Sequence, residues 1–214
     1  MAKIRFGPGL PLIASIALLT VIIIWQYITI TGANGGDFTY ALDDPYIHLA
    51  LSKNLQHFHY GINLSEFSAP SSSIIWTFLL APFASFLLSP LIINFILSVI
   101  TLVFFNKTLD LLFDIKNRKH KNAFLTALMI MLVPAGNFTW LIMTGMEHAL
   151  QVMSVSMIIY GTVRYIKKGK IGFLLPAALV VAPLVRYEDM TVVLSVLLFL
   201  LLCREIKKIG RAHV

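Results

Sequence analysis

From Leu10 to Thr31 the chain runs 22 residues without a charged side chain. As a helix that run is about 33 Å long, enough to cross the roughly 30 Å hydrocarbon core of a bilayer. It is preceded by Lys3 and Arg5, exceeds the apolar core of a signal peptide, and has no small-residue cleavage site after it, so it reads as a retained first span. Further apolar stretches cover Ile74 to Ser89, Leu91 to Phe113, Ala123 to Met143, Met146 to Ile166, Ile171 to Val185 and Thr191 to Cys203. The composition agrees: 58% of residues are apolar and 13% charged, where a soluble domain averages about 45–50% and roughly 25%. A free-standing soluble enzyme and a disordered chain are therefore excluded. Cys203 is the single cysteine, so an intrachain disulfide scaffold and a cysteine-based zinc site are excluded as well.

The net charge of +7 suggests a nucleic-acid partner only until its distribution is read. Lys116, Arg118, Lys119 and Lys121 form one basic cluster; Arg164, Lys167, Lys168 and Lys170 form a second; Arg204, Lys207, Lys208 and Arg211 form a third. Lys and Arg concentrate in cytoplasmic loops, and with the amino terminus and these clusters inside, 15 Lys/Arg and three acids lie inside, against two Lys/Arg and seven acids outside. Residues 123–166 and 171–203 then form hairpins whose turns, at 144–148 and 186–189, face outward together with the polar loop 32–73. Residues 74–113 must cross an odd number of times, which favours a single span at 91–113, with 74–89, interrupted by Pro82, re-entrant, interfacial, packed on the protein or a short span. The expected fold is all-α and multi-pass, with spans near 10–31, 91–113, 123–143, 146–166, 171–186 and 190–203.

The outer segments carry the chemistry. In the first loop Asp44 suits an N-cap and Pro45 the first helical position, and Ile47, Leu51, Leu55 and Phe58 recur at helical spacing until Gly61. This predicts an amphipathic helix of 14–16 residues, too polar to span and suited to the interface plane. Asp43 and Asp44 at its start read either as a cap plus an exposed charge or as a general base for an acceptor hydroxyl. His48, His57 and His59 do not share one helical face, so they read as interfacial polar residues and not as a metal cluster. Glu147, Arg186 and Glu188 flank spans, where ionisable groups are costly and point either to an architectural ion pair or to function. Three separate turns bring Asp43/Asp44, Glu147 and Arg186/Glu188 to one side, which favours an enzyme.

The order DDPYIHLALSKNL, HYGIN, SAPSSSIIWTFLLAP, TGMEHAL and VRYED, over residues 37–190, resembles the amino-terminal half of GT-C glycosyltransferases. The nearest likeness is to the bacterial branch with an Asp-Asp-x-Tyr-Ile start and a Ser-Gly-Met-Glu turn. The resemblance implies a GT-C-like helical bundle that transfers a sugar, with inversion, from a polyprenyl-phosphate carrier to a glycan, lipid or protein acceptor. It implies a bacterial inner membrane, with the site facing the periplasm or exterior. It makes Asp43 or Asp44 the catalytic base, has Tyr46 and His48 border the donor or acceptor pocket, and matches Glu147 to the acid of the Ser-Gly-Met-Glu turn. Arg186 and Glu188 match an Arg-Pro-Glu motif in which Tyr187 stands in place of proline, and Thr144 stands in place of the turn's serine. Arg186 would then meet the carrier phosphate through its guanidinium fork. Some members of that family use a divalent metal and others do not; these residues supply no clear ligand set, and no cofactor is expected with certainty.

The rival reading is a non-enzymatic transporter or flippase component, or an inactive fragment. A transporter would carry polar residues at mid-membrane on broken helices, whereas the charges here cluster at the outer ends. No nucleic-acid partner is expected. The closing string IGRAHV matches a translated sequencing adapter, so 209–214 is expected to be a non-native tail after a native segment 1–208 that forms the front part of a longer enzyme.

Overall fold

A computed structural model describes residues 9–212, and from residue 204 onward the backbone alone. Lys3 and Arg5, the side chains of the third basic cluster and of the expected tail 209–214, and the backbone of 213–214 lie outside the described residues. Among the described residues the chain is all-helical and contains no strand. Helix α1 spans Leu10–Ala33, α4 Ser89–Leu112 and α7 His148–Lys168, and these three are long and apolar enough to cross a membrane by length and composition. Between and after them lie α2 (Asp44–Leu55), α3 (Ile74–Leu80), α5 (Arg118–Ala135), α6 (Phe138–Met143), α8 (Leu174–Val185) and α9 (Met190–Ala212).

Helix α1 buries only one stripe, Leu12, Ser15, Leu19 and Ile23, at the three-and-four spacing of a single helical face. The rest of its surface stays apolar and exposed, as with Val21, Ile24, Trp25 and Ile28. That is the pattern of a helix with one protein-facing side, set against α4, α5 and α6, and an apolar surround. Helix α4 is different: it packs along α7 and buries Asn94, Ser98 and Thr101, small or polar groups that let two helices approach. On α7, Gly161 permits the same toward α8, because a Cβ there would fall 2.8 Å from the Leu175 Cβ.

Several boundaries differ from those read in the sequence. The stretch 123–143 is two helices: Pro134 cannot donate a backbone hydrogen bond, and Asn137 adopts a left-handed φ of 49°, so the chain turns between α5 and α6. Helix α5 starts five residues earlier than expected because Asn117 caps it, its side chain accepting from the amides of Lys119 and His120. Helix α8 is 12 residues long, shorter than the expected 171–186. The segment 74–83 is α3 followed by one 3-10 turn at Ala81–Phe83, about 10 Å of α-helix, far too little to cross a bilayer.

The amphipathic helix also ends early. It has 12 residues and stops at Leu55, not near Gly61. Asn54 Nδ2 donates to the carbonyls of Gly61 and Ile62, folding the following loop back on the helix end. The apolar face expected at Ile47, Leu51, Leu55 and Phe58 is buried only in part: Leu51 is sealed, Ile47 and Leu55 are half-buried and Phe58 is 97% exposed, while His48, Leu49 and Ser52 also face inward. Ser52 Oγ donates to the Thr77 carbonyl and Gln56 Nε2 to the Ala81 carbonyl, which pins α2 to α3.

The two ends of the bundle are chemically distinct. Gly9 and Pro11 of α1 share a cleft of about 150 Å³ with Asn106, Lys107 and Asp110 of α4 and with Asn122 of α5. Lys121 of the first basic cluster reaches this end, paired with Asp110. The opposite end, some 35 Å away along α4, gathers the loop after α1, helix α2, the α6–α7 turn and the α8–α9 turn.

Candidate functional site

Four separated segments meet on one carboxylate. Glu147 lies in the turn ahead of α7, in αR geometry, and its side chain leaves the helix end uncapped and turns inward, fully buried. Its Oε1 accepts from Arg186 Nη1 at 2.8 Å and from Ser72 Oγ at 2.7 Å, and its Oε2 lies 3.5 Å from His48 Nε2. Arg186 comes from the end of α8, Ser72 from the loop before α3, and His48 from the first turns of α2. Burial alone would push the Glu147 carboxyl up, but hydrogen bonding from His48 and Ser72 outweighs it and holds the group at about 2. Glu147 is therefore held as an anion, its Oε1 doubly hydrogen-bonded and its Oε2 facing His48 without a hydrogen bond of its own.

The second carboxylate on Arg186 is Glu188, in the single 3-10 turn Tyr187–Asp189. Its Oε1 accepts from Nη2 at 2.8 Å and its Oε2 from Nε at 3.3 Å, a two-pronged grip on one edge of the guanidinium. That contact raises Arg186 above its ordinary value and lowers Glu188 below its own. Extended backbone at Arg186 (φ −148°, ψ 133°) ends α8 and aims the side chain back across the turn.

His48 is held at both ring nitrogens. Facing a carboxylate, Nε2 presents its N–H, and Nδ1 lies 3.3 Å from Ser71 Oγ. Ser71 in turn donates to the Ser73 carbonyl and accepts from the Ser73 amide. The His48 side chain is only 5% exposed, so the bare sequence reading of an interfacial polar residue does not hold for it. His57 is exposed, and the half-buried His59 staples the carbonyls of Asn63 and Glu66 through Nε2.

The turn that carries Glu147 is seated by Gly145, whose φ of 67° favours glycine and whose position admits no side chain. A Cβ there would lie 2.6 Å from the Tyr40 ring and 3.1 Å from Pro45. The start of α2 thus packs directly on the 144–147 turn. Tyr40 reinforces this, its hydroxyl donating to the Leu87 carbonyl and accepting from the Leu91 amide. Asn94 of α4 donates to the carbonyls of Leu141 and Met146, fixing the other side of the turn.

Asp43 and Asp44 open α2. Asp43 is exposed and occupies the N-cap position, one residue earlier than expected, yet its side chain makes no capping bond; Asp44, half-buried, is the first helical residue. Neither carboxylate enters a hydrogen bond or ion pair with a described residue, so the cap reading of the pair fails. Tyr46 is 39% exposed; its hydroxyl accepts from the Tyr40 amide and its ring lies edge-on to Tyr40. Of the seven residues singled out in the sequence, His48, Glu147, Arg186 and Glu188 form one connected network, while Asp43, Asp44 and Tyr46 lie at the start of the helix that brings His48 in.

Ser72, Ser71, Gln151 and Asp189 were not singled out. Asp189 is buried, with Oδ1 accepting from Gln151 Nε2 at 2.9 Å and Oδ2 without a partner. Gln151 stands one helical turn after Glu147, on the same face of α7, which is the one signal that could have found it. Among the described residues no three His, Cys, Asp or Glu side chains gather to hold a metal ion. Comparison with known protein families, with characterised proteins and with solved structures finds no match.

Proposed function

We propose that the chain is a multi-pass membrane glycosyltransferase of GT-C type, or the front part of one, working on the outer face of a bacterial inner membrane. Its donor is a sugar on a polyprenyl-phosphate carrier and its acceptor a hydroxyl of a glycan, lipid or protein. The observation that carries the reading is the convergence of His48, Ser72, Glu147 and Arg186, from four segments, at the end of the bundle opposite Lys107, Asp110 and Lys121. A buried ion network at the end of spanning helices is costly to build. It makes sense where a charged headgroup has to be met at the membrane surface.

In this reading Asp43 or Asp44, free of internal partners, takes the proton from the acceptor hydroxyl. The oxygen attacks the anomeric carbon as the bond from that carbon to the phosphate oxygen breaks, with inversion. The negative charge gathered on the leaving phosphate is met by Arg186. Glu147 touches neither partner; it holds Arg186 and His48 in position. Apolar helices α1, α4 and α7 are compatible with contact to the bilayer and to the carrier's hydrocarbon tail.

The test is transfer of labelled sugar from a polyprenyl-phosphate donor, in membranes containing the full chain, with Asp43→Asn and Asp44→Asn singly and together. Loss of the base lowers the rate about 100- to 10,000-fold with insertion unchanged. Transfer at the wild-type rate by the double variant removes both residues from the mechanism.

A further inference from the structure

The edge of Arg186 that a phosphate would grip is already occupied. Two oxygens of Glu188 sit on Nε and Nη2, and Nη1 is held by Glu147. Carboxylate and phosphate oxygens match that fork in the same bidentate way, so they compete for one edge. The two carboxylates differ in what holds them. Glu147 is fully buried and is also fixed by Ser72 and His48. The Glu188 side chain is 43% exposed, and its side-chain hydrogen bonds go to Arg186 alone.

Charge leads the same way. One guanidinium already faces two carboxylates, so an arriving phosphate ester would add to a local excess of negative charge unless one of them left. Glu147 cannot leave without stranding the buried His48 and removing the inner partner of the half-buried Arg186. Glu188 can turn into water at small cost, because exposed pairs contribute little. We infer that Glu188 is a resident carboxylate that occupies the phosphate-binding edge of Arg186 and is displaced by the phosphate ester of the carrier. This rests on the reading of Arg186 as the partner of that phosphate, and it adds how the site is kept closed to free anions and opened by a tethered one. Glu147 then serves as the fixed anchor on the far side of the guanidinium, so the fork keeps its aim while its outer edge is exchanged.

The experiment measures binding of farnesyl phosphate to the full chain in detergent micelles, with farnesol and inorganic phosphate as separate arms. The expected result is Arg186-dependent binding of farnesyl phosphate that tightens about 3- to 10-fold in Glu188→Gln, the scale of one exposed ion pair. Farnesol is expected to be unaffected by the substitution, and inorganic phosphate to bind measurably only once Glu188 is neutralised. Glu188→Ala repeats the test with no side chain at the fork. Binding lost in Arg186→Gln but unchanged or weakened in both Glu188 variants overturns the displacement and leaves Arg186 as the phosphate partner. Binding that ignores Arg186→Gln, or is absent from every form, overturns both.

Discussion

Each end of the bundle joins an acid to a base, and the shorter pair is the weaker one. At the basic end Lys121 Nζ lies 2.6 Å from Asp110 Oδ1, with the Asp110 side chain 62% exposed. At the other end Arg186 Nη1 lies 2.8 Å from Glu147 Oε1, with Glu147 sealed from solvent. In water the attraction of an ion pair is screened and offset by side-chain ordering, so an exposed pair contributes at most about 1 kcal/mol. In the interior Glu147 has lost its hydration, and removing Arg186 would leave that carboxylate stranded. Burial and the number of donors, more than distance, decide what each contact is worth.

The largest effect expected from that difference is at Glu147. Glu147→Ala strips the acceptor from Arg186, Ser72 and His48 together, and a cost of about 3 kcal/mol follows, the low end for breaking a buried pair because Arg186 is 20% exposed and keeps Glu188. Thermal unfolding of the purified chain in micelles reads this directly; a melting temperature within a degree of wild type would erase the contrast between the two ends. The pH dependence carries a matching signature. The Glu147 carboxyl is depressed from 4.5 to about 2 on folding, so its stabilisation is present above about 4.5 and is lost as pH falls toward about 2. Glu147→Gln should flatten that acid limb.

How much of this was legible in the sequence follows from the same physics. The uncharged run in α1 and the apolar stretch of α4 could be read because crossing a bilayer demands length and apolarity, which composition records directly. Residues Glu147, Arg186 and Glu188 stood out because charge next to such stretches is rare. The break between α5 and α6 was not readable, since it depends on Asn137 adopting a left-handed φ beside Pro134 and on where Phe138 finds a buried seat. The burial of His48 was hidden too: the sequence places it among exposed polar residues of an amphipathic helix, and only tertiary pairing with Glu147 turns that face inward. Ser72 and Gln151 are of a type too common to attract notice until a buried acid needs a donor.

A second carboxylate at the site end sharpens the comparison, with the opposite sign. Asp189 is 4% exposed but has only Gln151 as a donor, and its other oxygen is unpartnered. Burial therefore wins and raises it above its ordinary value, against the pull of that one hydrogen bond. A group raised on folding loses stability as pH climbs from its unfolded value through its folded one, the reverse of Glu147. Asp189→Asn keeps an acceptor for Gln151 and removes the cost of ionisation. It should leave the chain as stable or slightly more stable at neutral pH, by less than Glu147→Ala destabilises it. A melting temperature that drops as far as in Glu147→Ala would mean that the charge of Asp189 is matched after all.

The smallest effect lies at the basic end, where it is the sharpest check on the argument. Asp110→Asn breaks the contact with Lys121, yet the lysine ammonium also donates to the Asp110 backbone carbonyl at 3.1 Å, which the substitution leaves in place. A double-mutant cycle between Asp110→Asn and Lys121→Gln isolates the side-chain pair, and a coupling of about 0.2–1 kcal/mol is expected, falling further as salt is raised. A coupling above about 2 kcal/mol that persists in high salt would contradict the 62% exposure of Asp110 and require that something else cover this end. Burial would then be doing at the basic end what it does around Glu147, and the difference between the two ends would lie in which neighbour supplies it.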